Sequence, residues 1–167
     1  MLRPLSVERL EGQTLAEPVT LQELKTQCRI QHDDDDAWLT WLITASRDAV
    51  EQATQRSLIP STWIASFEPT QGEETAILPR PAFIGNAEMN SVSIPAIKTA
   101  RGGIITVNSS VPFSVSYMSG ACSPLAKMAV LLWASHLYEL RQPYGEKVEE
   151  VPASLTEFIA RLRVINF

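Results

Sequence analysis

Four consecutive aspartates, Asp33–Asp36, follow His32 and precede two tryptophans in the stretch HDDDDAWLTWL. Carboxylates and imidazoles bind divalent metals and carry out general acid–base catalysis. A calcium loop, however, places its carboxylates at alternate positions around a glycine, and here they are consecutive with no glycine nearby. A metal-dependent hydrolase needs several histidine ligands, and the chain contains only His32 and His136. We therefore expect no catalytic residue, no metal and no cofactor.

The same aspartates stand where a helix would begin. Carboxylates at a helix start accept hydrogen bonds from free N–H groups and complement the positive end of the helix dipole, for about 0.3–1 kcal/mol each. A helix over residues 35–57 is predicted by an apolar stripe with one polar member: Trp38, Leu39, Leu42, Ile43, Ser46, Ala49, Val50 and Ala53. The run is thus interpreted as a helix start, and a hydrolase using His32 and Asp33–Asp36 is the alternative.

Three further helices are indicated by their start signals. Thr20 and Glu23 form a capping-box pattern that predicts a helix over 21–28, and Ser154 and Glu157 form a second one before a helix over 155–163. Pro124 is suited to the first turn of a helix over 125–141. These three segments and the long acidic-start helix predict a bundle of about four helices.

The middle of the chain has a different period. Alternating apolar residues, as in TWIASFE and VPFSVSYMSG, predict short strands over residues 61–119. The expected fold class is α+β and mainly α-helical, with a small antiparallel β insertion between the second and third helices. Residues 1–18 are expected to form an arm, 19–167 a single domain, and 164–167 a C-terminal tail.

For two apolar segments, the sequence does not indicate whether the chain's own core or a partner buries them. The third helix is apolar nearly all the way round, so it is either the central helix or in part a subunit interface, for which we single out Met128, Leu131, Trp133 and Tyr138. The chain closes on RLRVINF, an apolar end behind two arginines. This segment either folds back on the core or docks into a partner.

Charge, apolar segment length and cysteine spacing argue against several classes of protein. The net charge of −5 argues against a nucleic-acid-binding surface, because affinity for phosphates comes mainly from lysine and arginine. No segment is apolar over a membrane-spanning length, and the N-terminus lacks a signal-peptide core, so neither secretion nor a membrane role is expected. The two cysteines, Cys28 and Cys122, lie far apart, which favours a reduced cytoplasmic compartment.

The order of elements resembles that of the head-tail connector proteins of tailed bacteriophages, also called adaptor or head-completion proteins. The resemblance spans about residues 19–163, and its strongest parts are VTLQELKTQCRIQHDDDDAWLTWLITASRDAVEQATQRSLIPSTW and LLWASHLYELRQPYGEKVEEVPASLTEFIARLR. The segment LPRPAF fits the proline-bounded strand of that family, whereas IGNAEMNSVSIPAIKTARGG departs from its commoner pattern.

This resemblance implies a structural virion protein and not an enzyme. Its copies would form a ring of about twelve beneath the portal of a DNA-filled head, made in the bacterial cytoplasm and placed in the virion neck. The expected partners are further copies, the portal protein and a stopper or tail-completion protein, while DNA passes through the channel without sequence-specific binding. By the same resemblance, Arg161, Leu162, Arg163, Val164, Ile165 and Phe167 are assigned to portal binding. The alternative is another phage neck or tail-completion protein.

Overall fold

The computed structural model describes residues 1–10, 16–100, 102–140 and 152–164. These residues form two compact units. The β unit contains residues 1–10, 55–100, 102–121 and Val164, and the helical unit contains residues 16–54, 122–140 and 152–163. Among the described residues, no helix is both long enough and apolar enough to cross a membrane.

The β unit consists of two antiparallel sheets. Its eight strands are β1 (Ser6–Arg9), β2 (Ser61–Phe67), β3 (Glu74–Leu78), β4 (Phe83–Met89), β5 (Val92–Ile94), β6 (Ile97–Thr99), β7 (Gly102–Val107) and β8 (Phe113–Ser119). The five-stranded sheet has the order β1-β2-β8-β4-β5, and the three-stranded sheet has the order β3-β7-β6. Most hydrogen-bonded neighbours are therefore distant in sequence, as in the register that pairs Ser6 with Ser66.

Alternation of side chains explains how these strands form a core. Trp63, Ala65 and Phe67 are buried on one face of β2, as their spacing predicts, and Phe113, Val115 and Tyr117 are buried on the paired strand β8. Residues of the three-stranded sheet, including Leu78, Ile105 and Val107, belong to the same hydrophobic cluster. The inner faces of the two sheets thus bury each other.

The predicted fold class is wrong in its proportions. The described residues are 36% helical and 29% strand, and the strands form sheets of five and three, so the fold is α+β and not a mainly helical bundle with a small insertion. Four residues of the predicted arm, β1, pair with β2, and the predicted insertion over 61–119 supplies the other seven strands, so the β part of the fold is not small.

The helical unit contains α1 (Leu21–Cys28), α2 (Asp36–Thr54), α3 (Pro124–Glu139) and α4 (Ala153–Leu162). The Thr20–Glu23 capping box is present, with the threonine hydroxyl accepting from the Glu23 N–H and the Glu23 carboxylate accepting from the Thr20 N–H. The second predicted capping box is wrong, because α4 begins one residue before Ser154 and its cap residue, Pro152, makes no side-chain cap bond.

Backbone geometry fixes where the strands of the β unit end. Gly120 follows β8 with φ +155°, and a Cβ built there would lie 2.0 Å from the carbonyl oxygen of Ile59, so only glycine fits. In the LPRPAF segment, Arg80 and Ala82 both have positive φ, and the Ser119 hydroxyl donates to the carbonyl of Arg80 at 2.8 Å. The proline-bounded segment is thus anchored to the end of β8.

Candidate functional site

The acidic run at the start of α2 is joined to the side chains of two other helices. The Lys25 ammonium in α1 donates to Asp33 at 2.6 Å and to Asp36 at 2.7 Å, and the Tyr138 hydroxyl in α3 donates to Asp35 at 2.7 Å. Asp34 is almost fully exposed, and its carboxylate lies 3.8 Å from the His32 Nδ1. Three of the four carboxylates therefore tie α2 to α1 and α3.

The charges in this run stabilise one another. Hydrogen bonds from Lys25 lower the pKa of Asp33, and the hydrogen bonds to Asp33 and then Asp36 raise the pKa of Lys25. An ionised carboxylate bound to an ammonium is a poor general acid, and a metal ion would have to displace that ammonium. Over the described ranges, no group of three or more His, Cys, Asp or Glu side chains is arranged to hold a metal.

A buried ion cluster lies further along α2. Arg47 and Glu51 are each only 3% exposed, and the Arg47 Nη1 lies 3.0 Å from the Glu51 carboxylate. The Arg47 Nε donates to Glu17 at 2.7 Å, and its Nη1 also contacts Asp48. Of these three carboxylates, Asp48 and Glu51 lie on α2 with Arg47, so the Glu17 contact is the one that joins the chain before α1 to α2.

The predicted interface residues of α3 are exposed or half-buried. Met128 is exposed, and Leu131, Trp133 and Tyr138 are half-buried, while the fully buried face of α3 consists of Ala126, Ala129, Val130 and Ala134. Leu131 also lines an open groove along α1, together with Gln22, Glu23, Thr26, Gln27 and Arg29. The apolar residues of α3 thus lie partly on a face that packs in the core and partly on an accessible face.

The predicted portal-binding residues differ in exposure. Leu162 and Val164 are buried, whereas Arg161 and Arg163 are exposed. The Arg161 guanidinium pairs with Glu157 one turn earlier in α4. Ile165 and Phe167 lie outside the described residues. Two apolar members of this set are therefore already covered by the chain itself.

Sequence reasoning misplaced one feature that bears on binding. Trp38 is 40% exposed and Trp41 is 57% exposed, and their rings stack with centroids 4.9 Å apart and planes 16° apart. The prediction put Trp38 in the core stripe. Leu39, Leu42 and Val50 form a buried stripe at helical spacing, and at that spacing Trp38 lies at the edge of the stripe whereas Trp41 lies away from it.

Comparison with a family model covers the first half of the chain. Residues 18–81, which include α1 and α2, match the family model described as phage gp6-like head-tail connector protein. No curated protein sequence matches the chain significantly.

Solved structures match over almost the whole chain. A chain from the neck of an empty gene transfer agent (GTA) particle, computed with C6 symmetry, aligns with a TM-score of 0.74 at 17% identity, covering 98% of this chain and 97% of that one. A chain from the virion of a native GTA particle gives 0.72 at 17% identity with the same coverage. A third, from a native GTA neck computed with C12 symmetry, gives 0.63 at 18%, covering 93% and 97%. The predicted resemblance is thereby confirmed: residues 18–81 carry the sequence pattern of the phage gp6-like head-tail connectors, and the chain shares its fold with proteins of gene transfer agent particles.

Proposed function

We propose that this protein is a structural head-tail connector, which assembles as a ring of copies in the neck of a phage-like particle, between the portal and a stopper or tail-completion protein. The observation that carries the proposal is the family match over α1 and α2, combined with a shared fold over 98% of the chain. C6 and C12 symmetries in the necks that contain the similar chains support a closed ring. The protein would be made in the bacterial cytoplasm and end in the virion.

Disrupting the gene in its phage or prophage tests this function. Electron microscopy of the lysate should reveal DNA-filled or leaking heads and separate free tails, because a missing connector leaves the portal without a docking surface. Complementation with the intact gene is the control and should restore joined particles. Normal tailed particles in the disrupted strain would contradict the connector function.

Lateral contacts between copies are proposed to include the accessible face of α3, with Met128, Leu131, Trp133 and Tyr138. A ring subunit needs complementary lateral surfaces, and exposed or half-buried large apolar residues are suited to them. The net charge of −5 keeps free copies soluble and favours an acidic channel wall, because DNA that has to slide gains nothing from lysine contacts. A basic lumen in the assembled ring would contradict this second point.

Portal contact is proposed for the end of the chain. Arg161 and Arg163 are exposed and suited to acidic groups on the portal, and Ile165 and Phe167 would enter an apolar groove there, whereas burial of Leu162 and Val164 favours a structural role for these two. Deleting residues 165–167 should abolish co-sedimentation with portal and leave the thermal melt almost unchanged. Extending the deletion to Val164 should also lower the melting temperature, because a buried side chain is lost. Intact portal binding after the shorter deletion would refute the assignment.

A further inference from the structure

Residues 16–28, which we call the α1 segment, are bound to the rest of the helical unit through carboxylates. Among the described residues, five side-chain hydrogen bonds join this segment to residues outside it, and each has an aspartate or glutamate side chain as its acceptor. Two of them end on Glu17, which accepts from the Thr44 hydroxyl at 2.9 Å and from the Arg47 Nε at 2.7 Å. The start of the segment is thus held on α2 by one carboxylate.

The other three hydrogen bonds hold α1 itself. The Lys127 ammonium in α3 donates to Glu23 at 2.6 Å. The Lys25 ammonium donates to Asp33 at 2.6 Å and to Asp36 at 2.7 Å. Both neighbouring helices are therefore joined to α1 by ion pairs that need an ionised carboxylate.

Apolar packing contributes less to this segment than to the other helices. Its buried apolar side chains are Val19 and Leu24. At eight residues, α1 is below the length of about 12–15 residues at which an isolated helix becomes stable in water, so it depends on contacts with its neighbours. The buried apolar residues of α2 and α3 form longer stripes: Leu39, Leu42, Ile43 and Val50 on α2, and Ala126, Ala129, Val130 and Ala134 on α3.

We propose that the α1 segment is an acid-sensitive element, which separates from α2 and α3 at a pH at which the β unit and the packing of α2 on α3 are still intact. Protonation of a paired carboxylate removes its charge and weakens it as an acceptor. Separation would expose Val19 and Leu24, so acid would also create an apolar surface on the helical unit. The inference does not depend on the proposed connector function.

The direction of the pKa shifts agrees with this proposal. The hydrogen bond from Lys127 is the largest cause that lowers the pKa of Glu23 to about 2, and the hydrogen bond from Lys25 lowers the pKa of Asp33. A carboxylate with a lowered pKa in the folded chain contributes stability that is lost as the pH falls. For Glu23, this contribution is present above pH 4.5 and is lost toward pH 2.

Other charged groups near the segment favour local opening over unfolding of the whole helical unit. When Glu17 is protonated, Arg47 keeps its contacts with Asp48 and Glu51, which lie on the same helix. Those pairs remain in place when the α1 segment separates. Three further groups act near the segment: Glu139 of α3 on Cys28, His32 on Asp33, and Asp34 at 3.8 Å from His32.

Hydrogen exchange of the full-length chain, followed by mass spectrometry, tests the proposal. The amides of residues 24–28 are compared with those of residues 39–50 and with those of β2 and β8, and each rate is divided by the intrinsic rate at the same pH. Between about pH 7 and about pH 3, the α1 amides should lose protection by at least about tenfold, whereas the other three groups should change by less than about threefold. Loss of protection in all four groups at the same pH, or unchanged α1 protection at about pH 3, would overturn the proposal.

Neutral side chains of the same shape should reproduce the acid form at neutral pH. In Glu17→Gln/Glu23→Gln, the α1 amides should exchange about tenfold faster than in the wild type at about pH 7. Their dependence on pH should also be flatter, because only the carboxylates that pair with Lys25 remain to be protonated. Glu88→Gln, which changes an exposed carboxylate on β4, is the matched control and should exchange like the wild type.

The amides of β2 and β8 show whether the double variant is folded. If they also lose protection at neutral pH, Lys127→Met provides the milder test, since it removes only the donor to Glu23 and should speed α1 exchange by about threefold. Exchange of the α1 amides at the wild-type rate in a folded double variant, or in Lys127→Met, would refute the role of these carboxylates.

Discussion

Replacement of Arg47 by methionine measures how strongly the buried ion cluster holds the helical unit together. Methionine keeps most of the aliphatic stem, so the change removes the charge and the hydrogen bonds more than the packing. It leaves Glu51, which is 3% exposed, without its guanidinium. Glu17 and Asp48 are more exposed and can be hydrated, so Glu51 dominates the cost. Removing one partner of a buried ion pair costs about 3–5 kcal/mol, and we expect Arg47→Met to lower the free energy of unfolding by about that amount.

Arg161 provides a matched control. It also forms an i,i+4 pair with a glutamate, Glu157, but both side chains are more than half exposed, so Arg161→Met should cost less than about 0.5 kcal/mol. The double variant Arg47→Met/Glu51→Leu should recover most of the lost stability, because it also removes the buried carboxylate that the guanidinium had paired. Urea titrations followed by circular dichroism, with the slope checked for constancy, give the four values. A loss below about 1 kcal/mol for Arg47→Met, or a double variant no more stable than the single one, would refute this account.

Three other predictions follow from single contacts. The pKa of Glu23 is lowered to about 2, and the hydrogen bond from Lys127 is the largest cause, so Lys127→Met should raise that pKa in a carboxyl NMR titration. In the wild type, the stability that this group contributes is present above pH 4.5 and is lost as the pH falls toward 2. Gly120→Ala should cost more than about 3 kcal/mol in urea titrations because its Cβ would meet Ile59, whereas Gly85→Ala, with φ +74° and open space, should cost about 1–2 kcal/mol. Calcium, magnesium or zinc should leave the melting temperature unchanged, since the Lys25 ammonium already binds Asp33 and Asp36; a rise in the wild type that grows with metal concentration would contradict this.

Helices with local start signals were predictable, and long-range strand pairing was not. The capping box before α1 and the proline at the start of α3 act within a few residues, so their helices begin within a residue of the predicted positions. The paired residues Ser6 and Ser66 are separated in sequence by α1 and α2, and no local pattern in the arm indicates their pairing. The size of the five-stranded sheet was underestimated because its edge strand β1 comes from the predicted arm, where the side chains show little alternation.

For the candidate sites too, the sequence predicted local position but not tertiary contacts. The interpretation of the aspartates as a helix start was correct in position, but their contacts with Lys25 and Tyr138 depend on tertiary packing. Arg47 and Glu51 are not members of the predicted apolar stripe of α2, although each is buried and the two side chains pair with each other. Burial of a charged pair depends on the partner from another part of the chain, here Glu17, which a helical pattern does not reveal.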